Sequence, residues 1–312
     1  MRKILCILGI IAASLPVFAA AERDIVLQTP TGGILGTILT PQDDAMDIIV
    51  LFISGSGPTD RNGNNPQMQN NAIKFLAEEL CEAGIPSVRY DKRGIAASAA
   101  AGSKEEDLRF TTYVDDARDW VDLITKDYRR VVIIGHSEGA QIGVMAAVDN
   151  PKVTAVISLA GIGRRISDVL RAQLGAQSPQ LLEMSEPIIQ SLEEGRNVDE
   201  VSPLLFSLFR PSVQPYLISW FPTDPAVEIA KLKVPVLIVQ GDTDIQVTVE
   251  DAELLAQAQP KAQKVIIAGM NHVLKECDSM DLMTQILKTY TDPNLKIIPT
   301  LGPEVVRFIK GL

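Results

Sequence analysis

The chain has 312 residues, 46% of them hydrophobic and 22% charged, with 29 Lys and Arg against 39 Asp and Glu. That composition supports a well-filled core and excludes a disordered chain. The acidic balance argues against nucleic acid and anionic membrane surfaces as main partners. Three cysteines and two histidines, none clustered at metal-ligand spacing, give no reason to expect a metal or another cofactor.

Residues 1–21 read as a secretory signal peptide. Arg2 and Lys3 give a positive start, Ile4 to Ile11 is apolar apart from Gly9, and Ala19-Ala20-Ala21 offers a cleavage site before Glu22. The run is too short to span a bilayer comfortably, although a retained N-terminal anchor is the alternative. Two of the basic residues and none of the acidic ones lie there, so cleavage would take the formal charge from −10 to −12. The expected product is exported, periplasmic or secreted, with no stable membrane insertion after cleavage. An oxidising compartment permits a disulfide between the remaining Cys81 and Cys277, but the sequence does not show whether they come within bonding distance.

Short β-rich runs then alternate with helical ones. Asp24 to Thr29 and Gly33 to Leu39 read as a hairpin-like pair. Unbroken apolar runs at Asp47 to Ile53, Ile85 to Tyr90, Arg130 to Ile134, Val153 to Leu159, Val234 to Gln240 and Lys264 to Ala268 read as strands buried on both faces. Helical periodicity fills the gaps at about 70–83, 113–127, 138–148, 249–258 and 303–309. This alternation predicts an α/β fold with a mostly parallel central sheet flanked by helices. Residues 162–232 break the rhythm. They are too long for a loop, look helical, and follow a strand's carboxyl end, where α/β ligands bind. They read as a lid inserted between a first core part, 22–161, and a second, 233–312. The lid's apolar stretch Leu204 to Phe221 either packs the lid onto the body or lines a pocket, or does both.

Gly135-His136-Ser137-Glu138-Gly139 matches G-x-S-x-G. Chance supplies that pattern in roughly one chain in ten of this length, so its setting decides. It directly follows a strand and precedes a helix, as a nucleophile elbow requires. Glycines on both sides avoid clashes at a strained turn. Serine needs a base. His136 adjoins Ser137, so its side chain is expected to point away from the Oγ into the protein. His272, on the loop after the last strand, is the expected base. The acid should follow the preceding strand, where Asp242 and Asp244 compete. Asp244 is preferred, with Asp242 shaping the turn. The oxyanion donors are expected to be the backbone N–H groups of Glu138 and Ser56, the latter in the small-residue loop after Asp47 to Ile53. The charged segment Tyr90-Asp91-Lys92-Arg93-Gly94 reads first as a structural ion-pair cluster and second as a site edge. Arg210 reads as a solvated rim residue, with binding of a substrate's acidic group as the alternative.

Taken together, GHSEGA, GSGPTDRNGN, RYDKRG, PVLIVQGDTDIQV and AGMNHVLK resemble the bacterial α/β-hydrolases grouped with serine aminopeptidase (S33)-like, lysophospholipase-like and acylglycerol lipase-like enzymes. The resemblance spans nearly all of the chain after residue 21. It implies an α/β-hydrolase fold with a helical lid over a Ser-His-Asp triad, carried onto Ser137, His272 and Asp244. Three positions depart from the pattern: Ser54-Gly55 replaces the usual His-Gly, Ala140 stands where a second glycine is common, and Ala96 stands where many relatives have glycine.

The expected activity is hydrolysis of a small-molecule carboxylic ester through an acyl-enzyme. A thioesterase or an aminopeptidase with the same triad, and a non-catalytic binding protein on this fold, are the alternatives. Serine at position 137 speaks against an aspartate-nucleophile dehalogenase or epoxide hydrolase.

Overall fold

In the computed structural model, which describes residues 20–42, 47–102 and 104–312, the apolar runs form strands of one eight-stranded sheet and are largely buried. The exception is the last run, Lys264 to Ala268, whose strand lies at the sheet edge with Lys264 and Ile266 exposed and is not buried on both faces as expected. Residues 1–19 of the expected signal peptide lie outside the described residues. Strands β1 (Ala21–Thr29) and β2 (Gly32–Thr40) make an antiparallel hairpin. β3 (Ile48–Ile53) is wholly buried and is followed by helix α1 (Ala72–Glu82). β4 (Ser87–Tyr90) starts later than expected. Pro86 has no N–H to give a ladder, and only its carbonyl joins in, accepting from Val50.

Helix α2 spans Phe110–Ile124, three residues earlier than its periodicity suggests. Its first N–H is satisfied by the Ser219 hydroxyl at 2.8 Å, from 109 positions away, so no local cap marks that start. β5 (Arg130–His136), α3 (Glu138–Ala147) and β6 (Val153–Leu159) follow. The stretch before the next strand holds α4 (Ile166–Gln177), α5 (Pro179–Glu193), α6 (Phe206–Phe209), α7 (Gln214–Trp220) and α8 (Pro225–Ala230). β7 (Val236–Gly241), α9 (Val249–Ala258), β8 (Gln263–Ile267), α10 (Leu282–Gln285), a π-helical turn over Ile286–Tyr290, and α11 (Leu301–Lys310) complete the described chain.

The strand order is β1-β2-β4-β3-β5-β6-β7-β8. β4, β3, β5, β6, β7 and β8 pair in parallel, and β2 pairs antiparallel with both β1 and β4. Along β3, Ile49, Leu51 and Ile53 enter the core layer shared with α2 and α3. Ile48, Val50 and Phe52 enter the layer shared with α1 and α11. Burial of each such side chain contributes about 1.5–3 kcal/mol, so a central strand has no room for a polar face. This is the α/β-hydrolase architecture, with the carboxyl ends of the parallel strands along one edge.

The helical insertion docks through aromatic residues. Trp220 stacks on Phe110 at 4.9 Å, and Tyr216 meets Tyr113 edge-on at 5.8 Å. Phe209, Leu217 and Phe221 are buried, whereas Leu204, Phe206 and Leu208 are exposed. Most of the apolar stretch therefore serves packing. Cys81, in α1, and Cys277, beyond β8, are both buried, and no disulfide joins them. Among the described residues, no helix is long and apolar enough to cross a membrane.

Candidate active site

Ser137 sits between β5 and α3 with φ 55° and ψ −121°, a conformation that non-glycine residues rarely adopt. Its N–H is anchored on the Leu159 carbonyl of β6 at 2.9 Å. Both flanking glycines are sterically required. A Cβ on Gly135 would collide with the carbonyl of Gly139, and one on Gly139 would collide with the carbonyl of Ile53. The close fit of α3 against β3 and β5 thus holds the serine at the tip of the turn.

His272 lies on the loop after β8. Asn271 shapes that loop by exchanging backbone and side-chain hydrogen bonds with Lys275, both 3.0 Å, and by donating to Thr289 Oγ1 at 2.7 Å. The Nδ1 of His272 lies 2.8 Å from Asp244 Oδ2. In the neutral ring that partner places the proton on Nδ1, so Nε2 is the nitrogen that can accept one. Asp244 is buried; its Oδ1 accepts from the N–H groups of Gln246 and Val247, and its Oδ2 also accepts from Gln240. Burial alone would raise its pKa, but the charge and hydrogen bond of His272 and the two backbone donors outweigh it and hold the carboxyl below its ordinary value. Asp242 is exposed and accepts from the Gly269 N–H at 2.7 Å, spanning the turns after β7 and β8.

Ser137, His272, Ser56 and Gly55 line one cavity of about 80 Å³. Gly55 brings the loop backbone against the serine, because a Cβ there would lie 3.3 Å from the Ser137 Cβ. His136 lines the same cavity. Its ring packs 4.8 Å from the His272 ring and donates from Nε2 to the His272 carbonyl at 2.8 Å. Burial, reinforced by the neighbouring His272, lowers its pKa to about 4, so it is neutral near pH 7.

Glu138 begins α3 and its side chain is buried. Oε2 pairs with Lys92 Nζ at 2.7 Å, and Oε1 accepts from the Tyr216 hydroxyl at 2.6 Å. Lys92 also donates to the Gly55 carbonyl at 2.6 Å. Its neighbours are ion-paired as well, Asp91 with Arg61 and Arg93 with Asp116. The segment is therefore an ion-pair cluster, and Lys92 within it reaches the edge of the site.

A second cavity of about 270 Å³ is lined by Gly57 and Pro58 of the same loop. The insertion contributes Arg210, Val213 and Tyr216 to it and contributes nothing to the first cavity. Arg210 is engaged at the rim by Glu105.

Two walls were not anticipated from the sequence. Thr59, Asn65, Met68 and Asn70 close one side of the first cavity, and Gln246 and Tyr290, hydrogen-bonded at 2.9 Å, close another. The run Asp60-Arg61-Asn62-Gly63-Asn64-Asn65 carried the only signal, as a turn composition. Asp60 Oδ1 accepts from the N–H groups of Asn62 and Asn64, and Asn64 Oδ1 from those of Asn70 and Asn71, which stiffens the wall.

Residues 69–199 match the family model described as serine aminopeptidase, S33. Esterase EstD of Thermotoga maritima is 27% identical over 271 residues, with 81% of this chain covered. The chain spans only 60% of EstD's length. Among solved structures, the Pyrococcus furiosus esterase Pf2001 superimposes with a TM-score of 0.58 at 14% identity, covering 93% of this chain and 91% of that one. Est1E of Butyrivibrio proteoclasticus, with ferulic acid bound, gives 0.59 at 18% identity, covering 85% and 96%.

Proposed function

We propose that this chain is a serine hydrolase cleaving a small-molecule carboxylic ester, with Ser137 as nucleophile, His272 as base and Asp244 as its orienting acid, a reading supported by its α/β-hydrolase fold and by the family model and esterases it is similar to. The observation that carries this reading is the strained elbow serine sharing a cavity with His272, whose Nδ1 is held by a buried carboxylate.

In the acylation step, Ser137 Oγ bonds to the acyl carbon as its proton passes to His272 Nε2. The N–H groups of Ser56 and Glu138 hold the resulting oxyanion. The carbon–oxygen bond to the alcohol then breaks, and the alkoxide leaves with the proton from His272. In deacylation, water gives a proton to His272 while its oxygen attacks the acyl carbon. Collapse releases the carboxylic acid and returns the proton to Ser137.

An aminopeptidase reading draws on the matched family's description. It would need a free carboxylate to anchor the substrate's amine, and Glu138 is spent on Lys92 and Tyr216. Hydrolysis of p-nitrophenyl acyl esters of graded chain length, run beside aminoacyl anilides, tests the choice. Ester turnover at least about tenfold faster is expected; exclusive anilide turnover would overturn the ester reading. The export reading rests on the basic start, apolar run and small residues before Glu22. Sequencing the N-terminus of protein recovered outside the cytoplasm should give Glu22, and an intact Met1 in the cytoplasm would refute it.

A further inference from the structure

The Lys92–Glu138 pair is buried on both sides, with side-chain exposures of 1% and 3%. Taking two ions out of water costs several kcal/mol each, and an apolar pair of similar volume is often as stable. Stability alone therefore gives little reason for the pair, and the position of its other contacts supplies one.

Lys92 Nζ donates to Gly55 O at 2.6 Å and to Glu138 Oε2 at 2.7 Å, and lies 4.9 Å from the centre of the Tyr113 ring. Gly55 C=O and Ser56 N–H are the two ends of one planar peptide unit, pointing in opposite directions. Holding the carbonyl toward Lys92 therefore turns the Ser56 N–H away from it. Gly55 has no side chain to fix that plane, and Ser56 to Pro58 are exposed. Glu138, which holds the other side of Lys92, itself carries the second backbone donor. Its remaining oxygen accepts from Tyr216 of α7 at 2.6 Å.

We infer that Lys92 and Glu138 are positioning residues that set the two oxyanion donors relative to each other, with Tyr216 tying them to the helical insertion. The inference rests on the reading of Ser137 as nucleophile. One linked set of side chains then runs from the Gly55–Ser56 peptide through Lys92 and Glu138 to the helices above. The direction of a donor matters most when negative charge develops on the oxygen, so the pair acts on the transition state more than on substrate binding.

The test measures kcat, KM and melting temperature for Lys92→Met, the double variant Lys92→Met/Glu138→Met, and Tyr216→Phe. It adds the affinities for a trifluoromethyl ketone, which forms an oxyanion on reacting with Ser137, and for the unreactive alcohol of the same shape. Losing one oxyanion donor costs about 10²–10³-fold in kcat, and misdirecting one costs less. The Lys92 variants should lose about 10–100-fold in kcat with KM within about threefold, and Tyr216→Phe should lose about 3–10-fold. Ketone affinity should fall by the same factors while alcohol affinity holds. Folded variants with kcat and ketone affinity within twofold of the parent would overturn the inference. Where the Lys92 variants do not fold, Tyr216→Phe, which removes one hydroxyl, decides by the same criteria. A parent that neither hydrolyses esters nor binds the ketone refutes the serine hydrolase reading itself and this inference with it.

Discussion

Asp244 Oδ2 lies 2.8 Å from His272 Nδ1, and three further donors, from Gln240, Gln246 and Val247, hold the carboxylate in place. A carboxylate held this rigidly admits only a proton on Nδ1. Asp244→Asn would present an N–H to that nitrogen and reverse the tautomer. A loss of about 10³–10⁴-fold in kcat is expected, with KM little changed. Asp242→Asn keeps the oxygen that accepts from Gly269 and should stay within about threefold of the parent. Steady-state kinetics of the two variants on one ester separates the aspartates.

The glycines of the elbow differ from the alanine at position 96 in what they permit. Gly139→Ala has no space against Ile53 and should cost more than about 3 kcal/mol or prevent folding. Ala96 is exposed and has φ 45°, a region that costs a non-glycine residue about 1 kcal/mol. Ala96→Gly should therefore stabilise the protein by about 0.5–1 kcal/mol or at worst leave it unchanged. Urea denaturation curves measure both.

How much of this was legible in the sequence depended on how local its cause was. The unbroken strands β3 to β7 showed themselves because both faces of each are largely buried, and the α/β-hydrolase fold followed from their alternation with helices. His272 stood out because the chain has two histidines and one adjoins Ser137. Asp242 and Asp244 could be ranked from the sequence, but only burial and hydrogen bonding distinguish their surroundings. Partners far apart in the chain left no local trace. The Tyr216 hydroxyl on Glu138 is 78 positions away, the Ser219 cap on α2 is 109 away, and Asn71 reaches the Pro293 carbonyl across 222. The polar wall at 59–70 offers the sequence only turn composition, because its order comes from Asx side chains bonding nearby backbone.

His136 makes folding sensitive to acid. The unfolded chain takes up this proton near pH 6.5, whereas the folded protein takes it up only near pH 4. Between those values the unfolded state binds more protons, so stability falls as the pH drops from about 6.5 to 4 and this contribution is flat above. Unfolding free energies across pH 4–8 should show that slope in the parent. His136→Asn, which does not titrate, should flatten it; an unchanged slope would assign it to other groups.

The most direct test of the central claim is covalent. A fluorophosphonate requires an activated serine and leaves a stable adduct on it. Peptide mapping by mass spectrometry after labelling should find one adduct, on Ser137, with labelling slowed at least about 100-fold in His272→Ala. Absence of labelling in folded protein, or an adduct on another residue with Ser137 unmodified, would contradict the account.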